Sequence, residues 1–183
     1  MTYIWEISDK FPEDCIGLYN DQNSLEPHEL KAAVALESIA PLRFDFDVSI
    51  SKLLTLDDLA NSALVPLISK RLAELLVDYT DGQIQLLKAL VVGVDGAIDD
   101  YRVLNTLFEI DGIDFSKSNI SYIHGTDYVM GFESLALKDS DFMGALCLAR
   151  EVSYPPMLYV SQLLGNMVLE AKFRGFDLKL NGM

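Results

Sequence analysis

Cysteine and histidine are scarce in this chain of 183 residues, which holds two of each and a single tryptophan. Cys15 and Cys147 stand far apart, a pattern that indicates a reducing compartment rather than a disulfide framework. His28 and His124 have neither a cysteine nor a second histidine at metal-ligand spacing, so a zinc site is not expected. The sequence therefore predicts no metal and no cofactor.

Long hydrophobic runs are also missing. Apolar runs such as residues 89–92 fall far short of the roughly 20 apolar residues that a membrane-spanning helix needs. The first residues, MTYIWE, lack the basic and long apolar segments of a secretory signal. We therefore expect a cytoplasmic protein that does not bind a membrane. Because half of the residues are hydrophobic and are spread along the chain, residues 1–183 are expected to form a single domain.

Basic residues are outnumbered by acidic ones, 14 against 28, which gives a net charge of −14. Such a chain lacks the positive surface that holds nucleic-acid phosphates. Residues 1–59 contain 12 acidic and 4 basic residues, a net charge of −8. This charge either keeps the protein in solution or attracts a basic protein partner. In the second case the candidates for steering the partner are Glu13, Asp14, Asp21, Glu26, Asp45, Asp47, Asp57 and Asp58.

Motifs that mark known catalytic chemistry are absent as well. Residues 93–96 lack the Gly-Lys-Ser/Thr of a P-loop and the Gly-x-Gly-x-x-Gly of a dinucleotide site. His124 could supply an acid or base, but no Gly-x-Ser-x-Gly elbow accompanies it. Asp45 and Asp47 share one strand face, as paired glycosidase carboxylates could, although a solvated strand face explains them more simply. The aspartates around residues 95–100 and 111–114 lack the alternating oxygen ligands of a calcium loop. No catalytic residue is predicted.

What the sequence does contain is one pattern that occurs twice, at about residues 65–87 and 157–180. In each copy a short apolar run leads to a serine, Ser69 or Ser161, and leucines at helical spacing follow. The serine hydroxyl can accept a hydrogen bond from a free N–H of the first helical turn, so both serines are predicted to cap a helix. A glycine and an alternating strand come after each helix.

One offset aligns most positions of the two copies. It pairs Ser69 with Ser161, Leu72 with Leu164, Leu75 with Met167, Leu76 with Val168, Ile84 with Phe176 and Leu86 with Leu178. The shared register predicts that the two helices pack on the sheet in equivalent ways. Internal duplication and convergent use of one packing unit both explain it, since a solenoid needs about three repeats.

The rest of the chain is rich in strand patterns. Strands are predicted at residues 3–7, 15–19, 41–48, 83–92, 101–110, 119–124, 129–137 and 145–149. Residues 24–38 are expected to form a short helix, and residues 53–60 an acidic connector with one helical turn. Short turns between strands favour antiparallel pairing, so the predicted fold class is α+β, a mainly antiparallel sheet with two Ser-capped helices packed on it. Residues 1–40 supply N-terminal strands and the short helix, and residues 41–183 form the core.

Several motifs between residues 40 and 180 together resemble a known family. Each copy has an extended segment with Ser-x-x-Leu, at residues 67–72 and 159–164, and a Gly-led strand, at residues 82–87 and 175–180. Between the copies lie Tyr101 and Asn105 in a Tyr-x-x-x-Asn strand, followed by Asp111, Asp114 and Ser116. This set is similar to family eleven of the bacterial polymorphic-toxin immunity proteins, formerly a domain of unknown function. The second copy departs from the pattern by one position, because Arg174 precedes Gly175.

The resemblance implies a cytoplasmic, non-enzymatic protein that binds and neutralises a cognate bacterial toxin. A basic toxin domain is the expected partner, because toxins that cleave nucleic acid must hold phosphates. Two alternatives stay open, a small cytoplasmic enzyme of unknown reaction and a structural subunit of a bacterial assembly. A deep pocket with several carboxyl groups of perturbed pKa would favour the enzyme.

Overall fold

Strands predominate over helices in the computed structural model, which describes residues 1–22, 24–37, 40–138 and 141–180. The strands are β1 (Thr2–Ile7), β2 (Leu18–Asn20), β3 (Leu42–Asp45), β4 (Leu67–Ser69), β5 (Ile84–Gly93), β6 (Gly96–Ile98), β7 (Tyr101–Thr106), β8 (Glu109–Ile110), β9 (Asn119–Tyr122), β10 (Val129–Ser134), β11 (Leu148–Glu151), β12 (Leu158–Ser161) and β13 (Phe176–Leu180). The α-helices are α1 (Ile50–Leu53), α2 (Lys70–Thr80) and α3 (Gln162–Glu170). The fold class is α+β, as the sequence predicts.

The strands form two larger sheets and a separate β9–β10 hairpin, rather than the single sheet that the sequence predicts. Sheet one has the order β13-β1-β12-β11-β8, and sheet two has the order β2-β3-β5-β7-β4 with β6 beside β5. Among the described strands, β11–β8 and β3–β5 are parallel and the other pairs are antiparallel. Alternating side chains identify a strand but not its neighbours, so the division into two sheets could not be read from the sequence.

The two similar stretches form two units of the same topology. In the first unit, β4, α2 and β5 follow one another along the chain, and β7 lies between the two strands, antiparallel to both. In the second, β12, α3 and β13 do the same around β1. A helix is the usual connection between parallel strands, and here each connection leaves room for one antiparallel strand. The helices α2 and α3 begin at corresponding residues, as do β5 and β13.

The two units share one hydrophobic core. Leu72 and Leu76 of α2, Leu164 and Val168 of α3, and Trp5 of β1 belong to the same buried cluster. Each helix lies against the strands of its own unit, α2 against β4, β5 and β7 and α3 against β12 and β1. Two further clusters complete the interior, one centred on sheet two and α1, the other on sheet one near the β9–β10 hairpin.

Two expected elements near the N-terminus differ from the structure. In place of a helix over residues 24–38 there is one 3-10 turn, Glu29–Lys31; Ser38 itself lies outside the described residues. The carboxylate of Glu29 accepts a hydrogen bond from the backbone N–H of Glu26, and Ala33 has a left-handed φ of 52°, which ends the turn. The strand expected at residues 15–19 begins only at Leu18, because residues 13–15 form another 3-10 turn.

Candidate functional site

The eight acidic residues proposed for steering a partner do not share one environment. Glu13, Asp14, Asp21, Glu26 and Asp47 are exposed, and Asp45 is half-buried. Asp57 and Asp58, in contrast, are 7 % and 1 % exposed. Their assignment to an acidic surface is therefore wrong. Both carboxylates bind groups inside the protein, because the connector that carries them runs between the two units instead of over the surface.

The Asp57 carboxylate joins the start of α2 to the turn before β13. Its Oδ1 accepts a hydrogen bond from the Ser69 hydroxyl at 2.8 Å, and Oδ2 pairs with the Arg71 guanidinium at 2.7 Å. Oδ2 also accepts a 3.0 Å hydrogen bond from the backbone N–H of Arg174. Meanwhile the Ser69 Oγ accepts a hydrogen bond from the Leu72 N–H, so Ser69 occupies the N-cap position. Ser161 has the same backbone conformation at the start of α3.

The Asp58 carboxylate connects β1 with β4. Its Oδ2 accepts a 2.8 Å hydrogen bond from the Trp5 indole N–H, and its Oδ1 accepts one of 2.9 Å from the Leu67 N–H. Burial raises the pKa of Asp58 to about 6, and these hydrogen bonds oppose that rise only in part. The sequence around Asp58 gives no signal of this role, because the tertiary fold brings both donors to the carboxylate.

The remaining candidates lie towards the β2–β3 edge of sheet two. Asp14 pairs with Lys52 at 2.5 Å and Asp45 pairs with Arg43 at 2.8 Å, both at the surface. Within the part of the chain that the structure describes, no salt bridge joins the other four to a basic side chain. Those four residues are Glu13, Asp21, Glu26 and Asp47. Their charges are available for long-range attraction of a basic partner.

An apolar groove of about 380 Å³ opens between β1, the segment after Asp58 and the turn before β12; we call it the Trp5 groove. It is lined by Ile4, Trp5, Glu6, Ile7, Ile16, Asp58, Ala60, Asn61, Leu64, Val65, Pro66, Tyr154, Pro156, Met157 and Leu158. Ile7, Ile16 and Leu64 are exposed large hydrophobic residues. Exposed apolar side chains gathered around a concave surface are typical of a binding site.

Polar groups in the Trp5 groove are few, and its two charged lining residues are both acidic. Asn61 is 6 % exposed, and its Nδ2 donates to the carbonyl oxygens of Leu59 and Val65 at 2.9 and 2.7 Å. Its Oδ1 has no hydrogen-bond partner among the described residues. Glu6 and Asp58 supply carboxylates, and neither lysine nor arginine is among the lining residues. The groove is therefore suited to a ligand that brings hydrogen-bond donors.

A second concave surface lies beside the β9–β10 hairpin, with a volume of about 650 Å³. Phe115, Tyr122 and Tyr128 line it and are exposed, and Asp127 adds one acidic group. Exposed aromatic residues are common at protein interfaces. This surface was not identified from the sequence, because the alternating residues of the hairpin resemble those of any half-buried strand pair.

Residues that could have carried catalysis remain apart. His28 and His124 are both exposed. Among the described residues, no group of three or more His, Cys, Asp or Glu side chains could hold a metal ion. No helix in the described ranges is both long enough and apolar enough to cross a membrane. A scan against models of known protein families finds no match for this chain, and a search of curated proteins finds none either.

Proposed function

We propose that this protein is a cytoplasmic, non-enzymatic binding protein that neutralises a cognate bacterial toxin, and that the toxin domain is basic. The observation that carries the proposal is the Trp5 groove, an apolar concavity lined by two carboxylates and by no lysine or arginine. Protein interfaces commonly combine an apolar centre, which supplies most of the affinity, with charges that favour one kind of partner. Here the charges favour a basic one.

Exposed acidic residues next to the groove support the same partner. Glu13 and Asp14 form the turn that leads directly to Ile16, which lines the groove. Asp21 and Glu26 lie beyond β2 on the same stretch of chain. These exposed carboxylates attract a basic domain at long range, which increases its association rate.

The resemblance to immunity proteins supports the toxin as the class of partner. Two of the residues that carry this resemblance lie inside the fold. Tyr101 is buried and its hydroxyl donates to the carbonyl oxygens of Leu53 and Leu56, at 2.7 and 2.8 Å. Asn105 is also buried and donates to the Val34 carbonyl oxygen at 2.7 Å. These two residues thus maintain the scaffold, and the surface that selects a toxin is free to differ.

The state of Asp58 favours binding over catalysis. It is the one carboxyl group in the Trp5 groove for which the described structure raises the pKa. An acid or base must be able to exchange its proton with a substrate. Each Asp58 oxygen instead accepts a hydrogen bond from a fixed donor of the protein, Trp5 or Leu67. These hydrogen bonds give the Asp58 carboxylate a structural role.

Partner capture from the native bacterium tests the proposed function. Tagged protein should retain a basic polypeptide at high salt washing, and the partner should be identified by mass spectrometry. Expression of that partner alone should stop growth of a host cell, and co-expression of this protein should restore it. Capture of an acidic assembly subunit, or growth arrest that co-expression leaves unchanged, would contradict the proposal.

A further inference from the structure

We infer that two copies of this protein pair through the outer edge of β13, with the two β13 strands antiparallel and Leu178 opposite Leu178 of the second copy. This inference goes beyond the proposed function, because it concerns contact between two identical chains and needs no toxin. It follows from three features, namely an open strand edge, a comparison of the two similar units and a strand sequence whose charges complement each other in this register.

The outer edge of β13 presents backbone groups without a strand neighbour. Of the described strands, β1 alone pairs with β13. The Ser8 N–H donates to the Gly175 carbonyl oxygen at 3.2 Å, so this carbonyl faces β1. Backbone groups along an antiparallel strand point alternately to either side, so those of Phe176, Leu178 and Leu180 point away from β1. An open row of N–H and C=O groups is a template for a further strand.

The first unit shows what such an edge accepts. There β5 corresponds to β13, and β3 pairs with its outer edge. In the second unit a connector reaches only the residue Arg174, whose carbonyl oxygen accepts hydrogen bonds from the N–H groups of Asp57 and Asp58 at 2.7 and 3.2 Å. From Phe176 onwards no described strand takes the place that β3 has beside β5. The second unit therefore lacks the neighbour that its counterpart has.

The sequence of β13, Phe-Asp-Leu-Lys-Leu, complements itself when two copies run antiparallel, as a twofold axis requires. With Leu178 on the axis, Asp177 of each copy lies opposite Lys179 of the other. Opposite charges that face each other across antiparallel strands stabilise the pair, and like charges destabilise it. A shift of two residues in either direction would place Asp177 opposite itself or Lys179 opposite itself. The charges therefore select one register.

Hydrogen bonding favours the same register. It places Phe176 of each copy opposite Leu180 of the other, so all the residues with outward backbone groups form hydrogen-bonded pairs. Asp177 and Lys179 then occupy the intervening pairs, where the strands come closest and side chains interact most strongly. The pairing thus satisfies the open edge along the whole of β13.

Apolar side chains beside the edge add to the contact. A small groove between the end of α3 and β13 is lined by Val168, Leu169, Lys172, Phe173, Phe176, Asp177 and Leu178. Leu169 is 49 % exposed, and Leu178 is half-buried. In the inferred pair Leu180 of the second copy lies opposite Phe176 and brings an apolar side chain to this groove. Burial of these groups favours association.

The mass of the protein in solution gives the first test. Analytical ultracentrifugation of the full chain over a range of concentrations should show a dimer that dissociates on dilution. A mass of one chain at every concentration would overturn the inference. Assemblies that grow beyond two chains would overturn it as well, because an edge paired about a twofold axis is closed.

Charge exchange tests the register. Asp177→Lys sets two pairs of lysines across the axis, and Lys179→Asp sets two pairs of aspartates, so each variant alone should dimerise about tenfold more weakly. An equimolar mixture of the two variants restores both opposite-charge pairs and should form a heterodimer. A change of stability within one chain cannot produce recovery on mixing. Failure of the mixture to recover dimerisation would overturn the inference.

Two further variants keep the test independent of folding. Lys179 also pairs with Glu6 and Asp9 of its own chain, so thermal unfolding must show that Lys179→Asp is folded. Leu180→Pro removes an outward N–H without removing a hydrogen bond to β1 and should also weaken dimerisation. Asp127→Lys, in the exposed loop between β9 and β10, makes the same charge change as Asp177→Lys and should leave the dimer intact. Equal dimerisation of Asp177→Lys, Leu180→Pro and Asp127→Lys would overturn the inference.

The toxin is the alternative occupant of this edge, and capture separates the two. A dimer that forms from the purified chain alone, and that Asp177→Lys weakens, supports the second copy. If the unaltered protein stays a single chain and Asp177→Lys loses capture of the native partner while Asp127→Lys retains it, the edge belongs to the partner. That result would overturn this inference and leave the proposed function standing. A dimer whose captured partner is no toxin would leave this inference standing and contradict the proposed function.

Discussion

The Trp5 indole N–H donates a 2.8 Å hydrogen bond to Asp58 Oδ2 in the interior of the protein, across 53 positions of the chain. On one face the Trp5 ring stacks on Phe176, with ring centroids 4.1 Å apart. One residue of β1 thereby joins the connector before β4 to the beginning of β13. This contact unites the two similar units, and several measurable properties depend on it.

Asp58→Asn should destabilise the protein. Trp5 and Leu67 both direct N–H donors at the carboxylate, and an asparagine side chain can accept from one of them while its amide opposes the other. We expect a loss of about 1–3 kcal/mol in the free energy of unfolding, measured by urea denaturation at pH 4, where Asp58 is protonated in the folded protein because its pKa there is about 6. Asp47→Asn at the exposed surface is the matched control and should be close to neutral. Equal stability of the two variants would show that the buried hydrogen bonds contribute little.

The contribution of Asp58 should depend on pH with a defined sign. Its pKa in the folded protein is raised to about 6 from the ordinary aspartate value of 3.8, so between these values the folded state binds more protons than the unfolded state. Stability from this group is therefore present at low pH and is lost as pH rises towards 6, by roughly 3 kcal/mol at most. Urea denaturation of wild type and Asp58→Asn from pH 4 to 7 should show this slope only in wild type. A parallel pH dependence of the two proteins would assign the slope to other groups.

The two capping serines should differ in importance. Replacing either by alanine removes a cap and should cost about 1 kcal/mol. Ser69 also donates a 2.8 Å hydrogen bond to Asp57, so Ser69→Ala should cost more than Ser161→Ala. Denaturation of the two variants under the same conditions gives the comparison. A larger loss in Ser161→Ala would mean that the Asp57 contact adds no stability.

Gly175→Ala should be far more damaging than Gly82→Ala, although both glycines have a positive φ. An added Cβ at Gly175, where φ is +104°, would collide with the backbone carbonyl of Asp58. At Gly82, where φ is +74°, nothing lies within 4 Å, so the cost is limited to about 1–2 kcal/mol for a left-handed residue. Thermal unfolding of both variants tests the difference, and equal melting temperatures would indicate that the Asp58 backbone moves freely.

Reversal of the unpaired surface acids should slow binding of a basic partner. The variant replaces Glu13, Asp21, Glu26 and Asp47 by lysine and leaves the buried Asp57 and Asp58 unchanged. Association should slow and its dependence on salt should flatten, with dissociation changed less. Stopped-flow kinetics with the captured partner at two salt concentrations give these rates. Equal association of both proteins at both salt concentrations would show that the acidity serves solubility alone.

Local patterns in the sequence were sufficient for several elements. The alternation along residues 41–48 predicts a strand, and β3 lies there with Leu42 and Phe44 buried and Arg43 exposed. The periods of a strand and a helix are local properties, so single elements and their caps can be recognised from short stretches. The prediction of a helix near Glu29 was wrong, because Ala33 has a left-handed φ of 52° and ends the segment after one 3-10 turn.

Most features of the candidate site could not be predicted from the sequence. Asp57 and Asp58 looked like solvated charges, and their partners Arg174 and Trp5 lie 117 and 53 positions away along the chain. Asn61 belongs to a segment without any recognisable motif, and its amide donates to the carbonyl oxygens of Leu59 and Val65 in the same loop. Properties that depend on contacts between distant segments require the fold itself.

The position of β1 between β12 and β13 has a consequence for synthesis on the ribosome. β1 emerges long before either of its neighbours, whereas β4, β5 and β7 emerge in close succession. The first unit can therefore assemble as it is made, and β1 has to wait, with Trp5 unstacked, until Phe176 has been translated. Such distant pairings slow folding and leave apolar strands uncovered in the meantime. During this interval β1 can pair with other chains, so the time that translation takes to reach β12 and β13 sets how long this strand is open to aggregation.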